Sequence, residues 1–254
     1  KGDWQKAELL TRKNFNSVVP YEADAEEPFR FGSFTTAGEF YIETGLSSVG
    51  MTGYRRELSL DSALAKVSFC KDGVQYEREY FVSHPANVMA VRFAASHRGK
   101  QNLVFSYAPN PVSTGEMKAD GTDALCWLAR LDNNNMEYAV RIKAVAKGGL
   151  VSNEGGKLTV KDADEVVFLI TADTDYKPNY APDFSDPKAY VGVDPAKTTA
   201  EWLAKAAAKD YAYLLNEHYA DYAALFNRVR LNINNASVDA DDLPVNRRLE
   251  AYRQ

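Results

Sequence analysis

The 254 residues are 45% hydrophobic, enough to pack a core, so a generally disordered chain is excluded. The length suits one large domain or two small ones. A net charge of −5 offers no basic surplus for a nucleic-acid groove, and no apolar run reaches the roughly 18 residues a membrane-spanning helix needs.

The chain opens on Lys1-Gly2-Asp3-Trp4, without the basic start and apolar run of a signal peptide, and reads like a cut in mid-chain. Residues 3–14 have a helical pattern: Asp3 can cap it, and Trp4, Ala7, Leu9 and Leu10 share a face. An acidic loop follows (Glu22, Asp24, Glu26, Glu27), closed by Pro28. It lacks the spaced ligands and turn glycine of a calcium loop and reads as solvated. Residues 1–28 thus form a helix and an acidic loop ahead of the main domain.

From Phe29 to about residue 175 the pattern is β. Phe40 and Ile42 alternate with polar neighbours. The runs 64–70 and 74–83 flank Lys71-Asp72-Gly73, where glycine accepts the positive φ of a tight hairpin turn. Another turn, His84-Pro85-Ala86-Asn87, leads into 88–95. Met136, Tyr138, Val140, Ile142 and Ala144 keep strict period two, and Val166–Ile170 is apolar on both faces, as in a strand buried on both sides. Closely spaced strands without intervening helices predict a mainly β fold, a large antiparallel β-sandwich, with Phe40, Phe69, Val140 and Phe168 in its shared core. Residues 176–197 hold four prolines interleaved with Tyr176, Tyr180, Phe184 and Tyr190, an ordered loop or wrapped linker. Residues 198–254 form a helical linker. Thr198 and Glu201 have capping-box spacing, Asp210 restarts or kinks the run, and an aromatic stripe from Tyr211 to Val229 recurs at three- and four-residue steps.

Candidate chemistry is sparse. Cys70 and Cys126 have no CxxC partner; two buried free thiols are the preferred reading and a disulfide between them the alternative. His84, His97 and His218 are not spaced as metal ligands, and no nucleophile elbow or phosphate loop is present. Asp173 and Asp175 follow the buried strand at a pocket rim, but solvated acids are far commoner than catalytic pairs. Arg55-Arg56-Glu57 and Arg78-Glu79 read as cross-strand ion pairs. No catalytic residue, cofactor site or metal site is assigned. Trp127, Tyr176, Tyr180 and Tyr190 are the candidates for stacking on a sugar.

One stretch, Tyr54-Arg55-Arg56-Glu57-Leu58-Ser59-Leu60-Asp61-Ser62-Ala63, resembles the N-terminal domain of glycoside hydrolase family 95. The resemblance continues through Asp72-Gly73-Val74 and Arg78-Glu79-Tyr80-Phe81-Val82-Ser83-His84-Pro85, where members tend to read REYFASYP, so His84 departs slightly. Phe31-Gly32-Ser33-Phe34 with Gly38-Glu39-Phe40-Tyr41-Ile42 is similar to the family's G-D-L-Y-L approach strand. His218, Asp221, Tyr222, Leu225, Phe226, Arg228 and Val229 look like its helical linker, and Leu243-Pro244 with Arg247-Arg248-Leu249 like the entry to its next domain.

The resemblance implies a sandwich of super-sandwich type followed by a helical linker, an (α/α)6 barrel and a C-terminal β domain. It implies a parent related to inverting α-L-fucosidases, whose catalytic groups lie in the barrel and have no counterpart here. The implied partners are a downstream catalytic domain of the same polypeptide and an oligosaccharide substrate, in a secreted or periplasmic parent. His218, Asp221, Tyr222, Phe226 and Arg228 would dock that domain. The alternatives are an independent carbohydrate-binding module and the related N-terminal sandwich of glycoside phosphorylases.

Overall fold

A computed structural model describes residues 3–15, 35–132, 134–183, 185–186, 188–230 and 243–252. The acidic loop 22–27, Phe31–Phe34 and Phe184 lie outside them. Helix α1 (Trp4–Phe15) starts as its sequence requires: the Asp3 carboxylate accepts from the Lys6 N–H at 3.1 Å.

Among the described residues twelve strands follow: β1 (Gly38–Glu43), β2 (Thr52–Ser59), β3 (Leu64–Lys71), β4 (Val74–Ser83), β5 (Val88–Ala95), β6 (Gln101–Pro109), β7 (Ser113–Ala119), β8 (Ala124–Leu131), β9 (Glu137–Lys147), β10 (Leu150–Glu154), β11 (Lys157–Ala163) and β12 (Glu165–Thr174). They form two antiparallel sheets, a four-stranded one ordered β1-β6-β11-β10 and an eight-stranded one ordered β2-β3-β4-β5-β12-β9-β8-β7. The β3–β4 turn is the predicted one, with Asp72 and Gly73 at φ 50° and 77°. Gly149 is a second position that only glycine fits. Its φ is +66°, and a Cβ there would lie 2.2 Å from the Lys161 carbonyl oxygen.

The core between the sheets centres on Phe105, Leu125, Val140, Ile142, Leu158, Val166 and Phe168. Two expected core residues sit elsewhere. Phe40 is 37% exposed because β1 is an edge strand among the described residues; its ring leans on Phe105 and Tyr107. Phe69 is buried in a separate cluster with Val74 and Tyr76, closed by Leu46 and Met51 from the loop before β2. The wide sheet extends past the narrow one, so β3 and the start of β4 need another cover. Cys70 and Cys126 are free. They lie on β3 and β8, five strand positions apart at about 4.8 Å each, far beyond disulfide reach.

A third layer covers the other face of the wide sheet. Alternate residues of the central strands (Phe81, Val88, Ala90, Val167, Leu169) meet Leu203 and Ala206 of α2 (Pro195–Ala207) and Leu214 of α3 (Tyr211–Phe226). That is why Val166–Ile170 is apolar on both faces. Helix α2 starts three residues before the expected Thr198–Glu201 box. Asp194 is the cap, accepting from the Ala196 N–H at 2.8 Å, and Pro195 takes the first helical position, where a missing N–H costs nothing. A last helix, α4, spans Val245–Tyr252.

Candidate functional site

Helix α3 is tied to the sandwich by polar contacts as well as packing. Asp210 caps it through the Tyr213 N–H at 2.7 Å, and Leu214 and His218 face inward. The Tyr211 hydroxyl donates to Glu79 Oε2 at 3.0 Å; burial and then the Glu79 charge push that hydroxyl's pKa up. Glu79 also takes Arg92, which holds Glu165 at 2.6 Å, and Lys147 reaches Glu165 at 2.8 Å. These charges form a row across β4, β5, β12 and β9, internally paired on the face where α3 begins.

From the core outward, four rings stack along α3. The buried His218 lies on Phe81 with centroids 4.9 Å apart, Tyr222 on His218 at 6.3 Å, and Phe226 on Tyr222 at 5.0 Å, all within 26° of parallel. His218 Nε2 faces the carbonyl oxygens of Ser62 and Ala63 at 3.2 and 3.3 Å, so that nitrogen carries the proton and donates. The Tyr222 hydroxyl donates to the Leu60 carbonyl at 2.5 Å. The Asp221 carboxylate lies 3.4 Å from His84 Nδ1, a contact no sequence spacing signals. Thus three of the five expected docking residues, His218, Asp221 and Tyr222, are engaged within the chain. Phe226 remains 40% exposed beside exposed Leu225 and Val229, and Arg228 is exposed with its Nε donating to the Ala224 carbonyl of its own helix.

The four candidate stacking aromatics separate. Trp127 is 9% exposed, inside the inter-sheet core, with its Nε1 donating to the Tyr138 hydroxyl at 3.0 Å, so its faces are closed to a sugar. Its place on β8 hid this, because the strand's period does not say which face meets the second sheet. Tyr176 and Tyr190 stack on each other at 6.0 Å and 12°. Their loop is fastened by the Lys177 N–H to the Tyr190 carbonyl at 2.7 Å, by Asn179 to the Ala189 carbonyl and by a Tyr176–Val191 bridge. Tyr180, at that loop's far end, is 98% exposed.

A cleft of about 660 Å³ is lined by the ends of β8 and β9 and the start of α2, with Arg130, Asp132, Glu137 and Asp194 on its walls; neither Tyr176 nor Tyr190 lines it. A neighbouring cavity of about 300 Å³ shares Leu131 and Tyr138 with it and includes Asp173. Asp175 instead accepts from the Glu137 N–H at 3.1 Å, and burial outweighs that bond to raise its pKa, so Asp173 and Asp175 do not face each other across one cavity. The four wall residues come from a strand, a turn, a second strand and a helix cap, which no spacing rule joins. The one local signal that could have found any of them is the Asp194-Pro195 helix start, four residues ahead of the expected cap at Thr198. Among the described residues no group of three or more His, Cys, Asp and Glu comes together as a metal site, and no helix is long and apolar enough to cross a membrane.

Comparison with known proteins matches residues 1–179 to the family model described as glycosyl hydrolase family 65, N-terminal domain. The chain is 30% identical over 208 residues to alpha-L-fucosidase 2 of Arabidopsis thaliana, covering 73% of this chain and 24% of that protein. It is 28% identical over 242 residues to a probable alpha-fucosidase A of Aspergillus niger, covering 90% and 29%. The chain therefore spans about a quarter of these curated relatives' length. A putative kojibiose phosphorylase from human microbiome superposes with a TM-score of 0.50 at 9% identity, over 72% of this chain and 27% of that one, which is a likeness of fold.

Proposed function

The chain belongs to the family of glycosyl hydrolase family 65 N-terminal domains, and from that premise we propose that it is the non-catalytic sandwich region of an α-L-fucosidase-like glycoside hydrolase of family 95. Its role is to buttress a helical catalytic barrel in the same polypeptide, in a secreted or periplasmic enzyme acting on an oligosaccharide. Two similar fucosidases three to four times as long support the class of parent. The observation that carries the buttress role is the ring stack Phe81–His218–Tyr222–Phe226. It is rooted in the sandwich and ends at a half-covered phenylalanine among exposed apolar neighbours, as expected of a surface completed by a partner.

Two experiments test this. The purified chain incubated with an aryl α-L-fucoside and with 2′-fucosyllactose should release no fucose. Turnover that scales with the chain through stringent purification overturns the non-catalytic role. Hydrogen exchange across 210–230 should slow when the chain is extended by the length its relatives carry, and equal exchange in both overturns docking. A second reading, an independent carbohydrate-binding module, is favoured by one feature, the parallel stack of the exposed Tyr176 on the half-buried Tyr190.

A further inference from the structure

We propose that the cleft between the ends of β8 and β9 and the start of α2, together with Tyr176 on the loop joined to it through Asp175, binds a neutral oligosaccharide. This inference goes beyond the buttress role and does not depend on it. The cleft's volume of about 660 Å³ falls within the range of small-ligand sites. Its charges argue against an anion. Arg130 is already paired with Glu137 at 2.7 Å, which leaves Asp132 and Asp194 in excess on the wall. Carboxylates are acceptors, and a polyol presents the donors they need without bringing a charge to be desolvated.

Each carboxylate is held by one oxygen and has a second. Asp194 caps α2, Asp132 accepts from the Thr114 hydroxyl at 2.9 Å, and Glu137 accepts from Arg130. Groups fixed before binding lose little freedom on binding. The aromatic component is tied to the same wall. Asp175 and Glu137 exchange hydrogen bonds, and Tyr176 is the next residue. Gly192 N–H meets the Asp175 carbonyl at 2.5 Å, two residues before Asp194 and two after Tyr190. Pyranose C–H faces pack on aromatic faces while the ring hydroxyls reach polar groups, and the Asp175–Glu137 pairing puts Tyr176 one residue along the chain from that wall.

The test is titration of the whole 254-residue chain with 2′-fucosyllactose, lactose and maltotriose, followed by calorimetry and by tyrosine fluorescence. At least one sugar should bind in the millimolar range or tighter. Tyr176→Ala and Asp132→Asn should each weaken it about tenfold, the equivalent of ~1.4 kcal/mol. Both sites are exposed, so melting temperature should be nearly unchanged, and Tyr54→Ala on the edge strand β2 should leave affinity as it was. Absence of binding by all three sugars overturns the proposal. So does binding that both cleft variants leave intact, which would place the sugar elsewhere. Neither result bears on α3, whose docking is read separately by hydrogen exchange.

Discussion

Replacing His218 with alanine should detach α3 from the sandwich without unfolding the sheets. The side chain is buried, donates from Nε2 to two carbonyl oxygens and stacks on Phe81 at 4.9 Å. Losing the hydrogen bond costs about 1 kcal/mol. The ring contact contributes about 0.5–1.5 kcal/mol, and the vacated space adds roughly a further 1 kcal/mol. The sum, about 3 kcal/mol, applies to local opening of the helix, since α3 meets the sheet mainly through β4 and the β2–β3 turn. Amide exchange by mass spectrometry or NMR reads this directly. Protection of 214–222 should fall by about two orders of magnitude, at roughly 1.4 kcal/mol per tenfold, while β9 and β12 amides change little. Protection of 214–222 unchanged to within about threefold would refute the account, because the stack would then not hold the helix.

Phe168→Ala should cost about 3–5 kcal/mol in urea denaturation, since the ring is fully buried between Phe93 and Phe105; a loss below about 1 kcal/mol would remove it from the core. Gly149→Ala should destabilise by about 1–3 kcal/mol from the positive φ alone, with the Lys161 carbonyl clash adding to it; a neutral result in the same assay would mean the turn rearranges freely. Burial raises the Glu165 pKa, but the hydrogen bonds and charges of Lys147 and Arg92 outweigh it and hold the carboxyl below its ordinary range. The folded value thus lies under the unfolded one of about 4.3, so the stabilisation is present above that pH and is lost as pH falls through the folded value. Glu165→Gln should lower the melting temperature near neutrality and flatten its acid limb. A curve merely displaced in parallel would show that another group carries the acid dependence.

The sandwich was legible because strands with one covered face alternate, and because Val166–Ile170 declared a strand covered on both. What covered its second face was not legible: α2 and α3 lie on it through Leu203, Ala206 and Leu214, residues that look like any helical stripe. Phe40 and Phe69 show the complementary limit. Period two reveals which residues share a face, but not how far the opposite sheet reaches, so an edge strand and an overhanging hairpin looked like core. Sites fared by the same rule. The α3 stripe was visible as a periodicity, yet the pairing of Asp221 with His84 joins residues far apart in sequence. The cleft at Glu137 and Asp194 is assembled only when β9 and α2 meet.

The wide sheet gives the α3 stack its meaning. An eight-stranded sheet against a four-stranded one must cover the excess on both faces, and the chain does so with short pieces: the loop before β2 under Phe69, α2 and α3 on the reverse side. A helix recruited only to close that face would stop presenting rings once the sheet was covered. Here the stack continues past its last buried member, and each further ring is located by the one before it: Phe226 lies on Tyr222, which is fixed to the Leu60 carbonyl, next to His218, which is fixed to the β2–β3 turn. A surface ring held this way has already lost most of its rotational freedom, so a partner that covers it gains the burial without the ordering cost. Substituting Phe226 with aspartate should cost the isolated chain about 1–2 kcal/mol, from the lost ring stack on Tyr222 and from an acid placed at the C-terminal end of α3. In the longer polypeptide the same change should cost measurably more, in stability or in activity. An equal cost in both would mean that the outer ring of the stack has no partner.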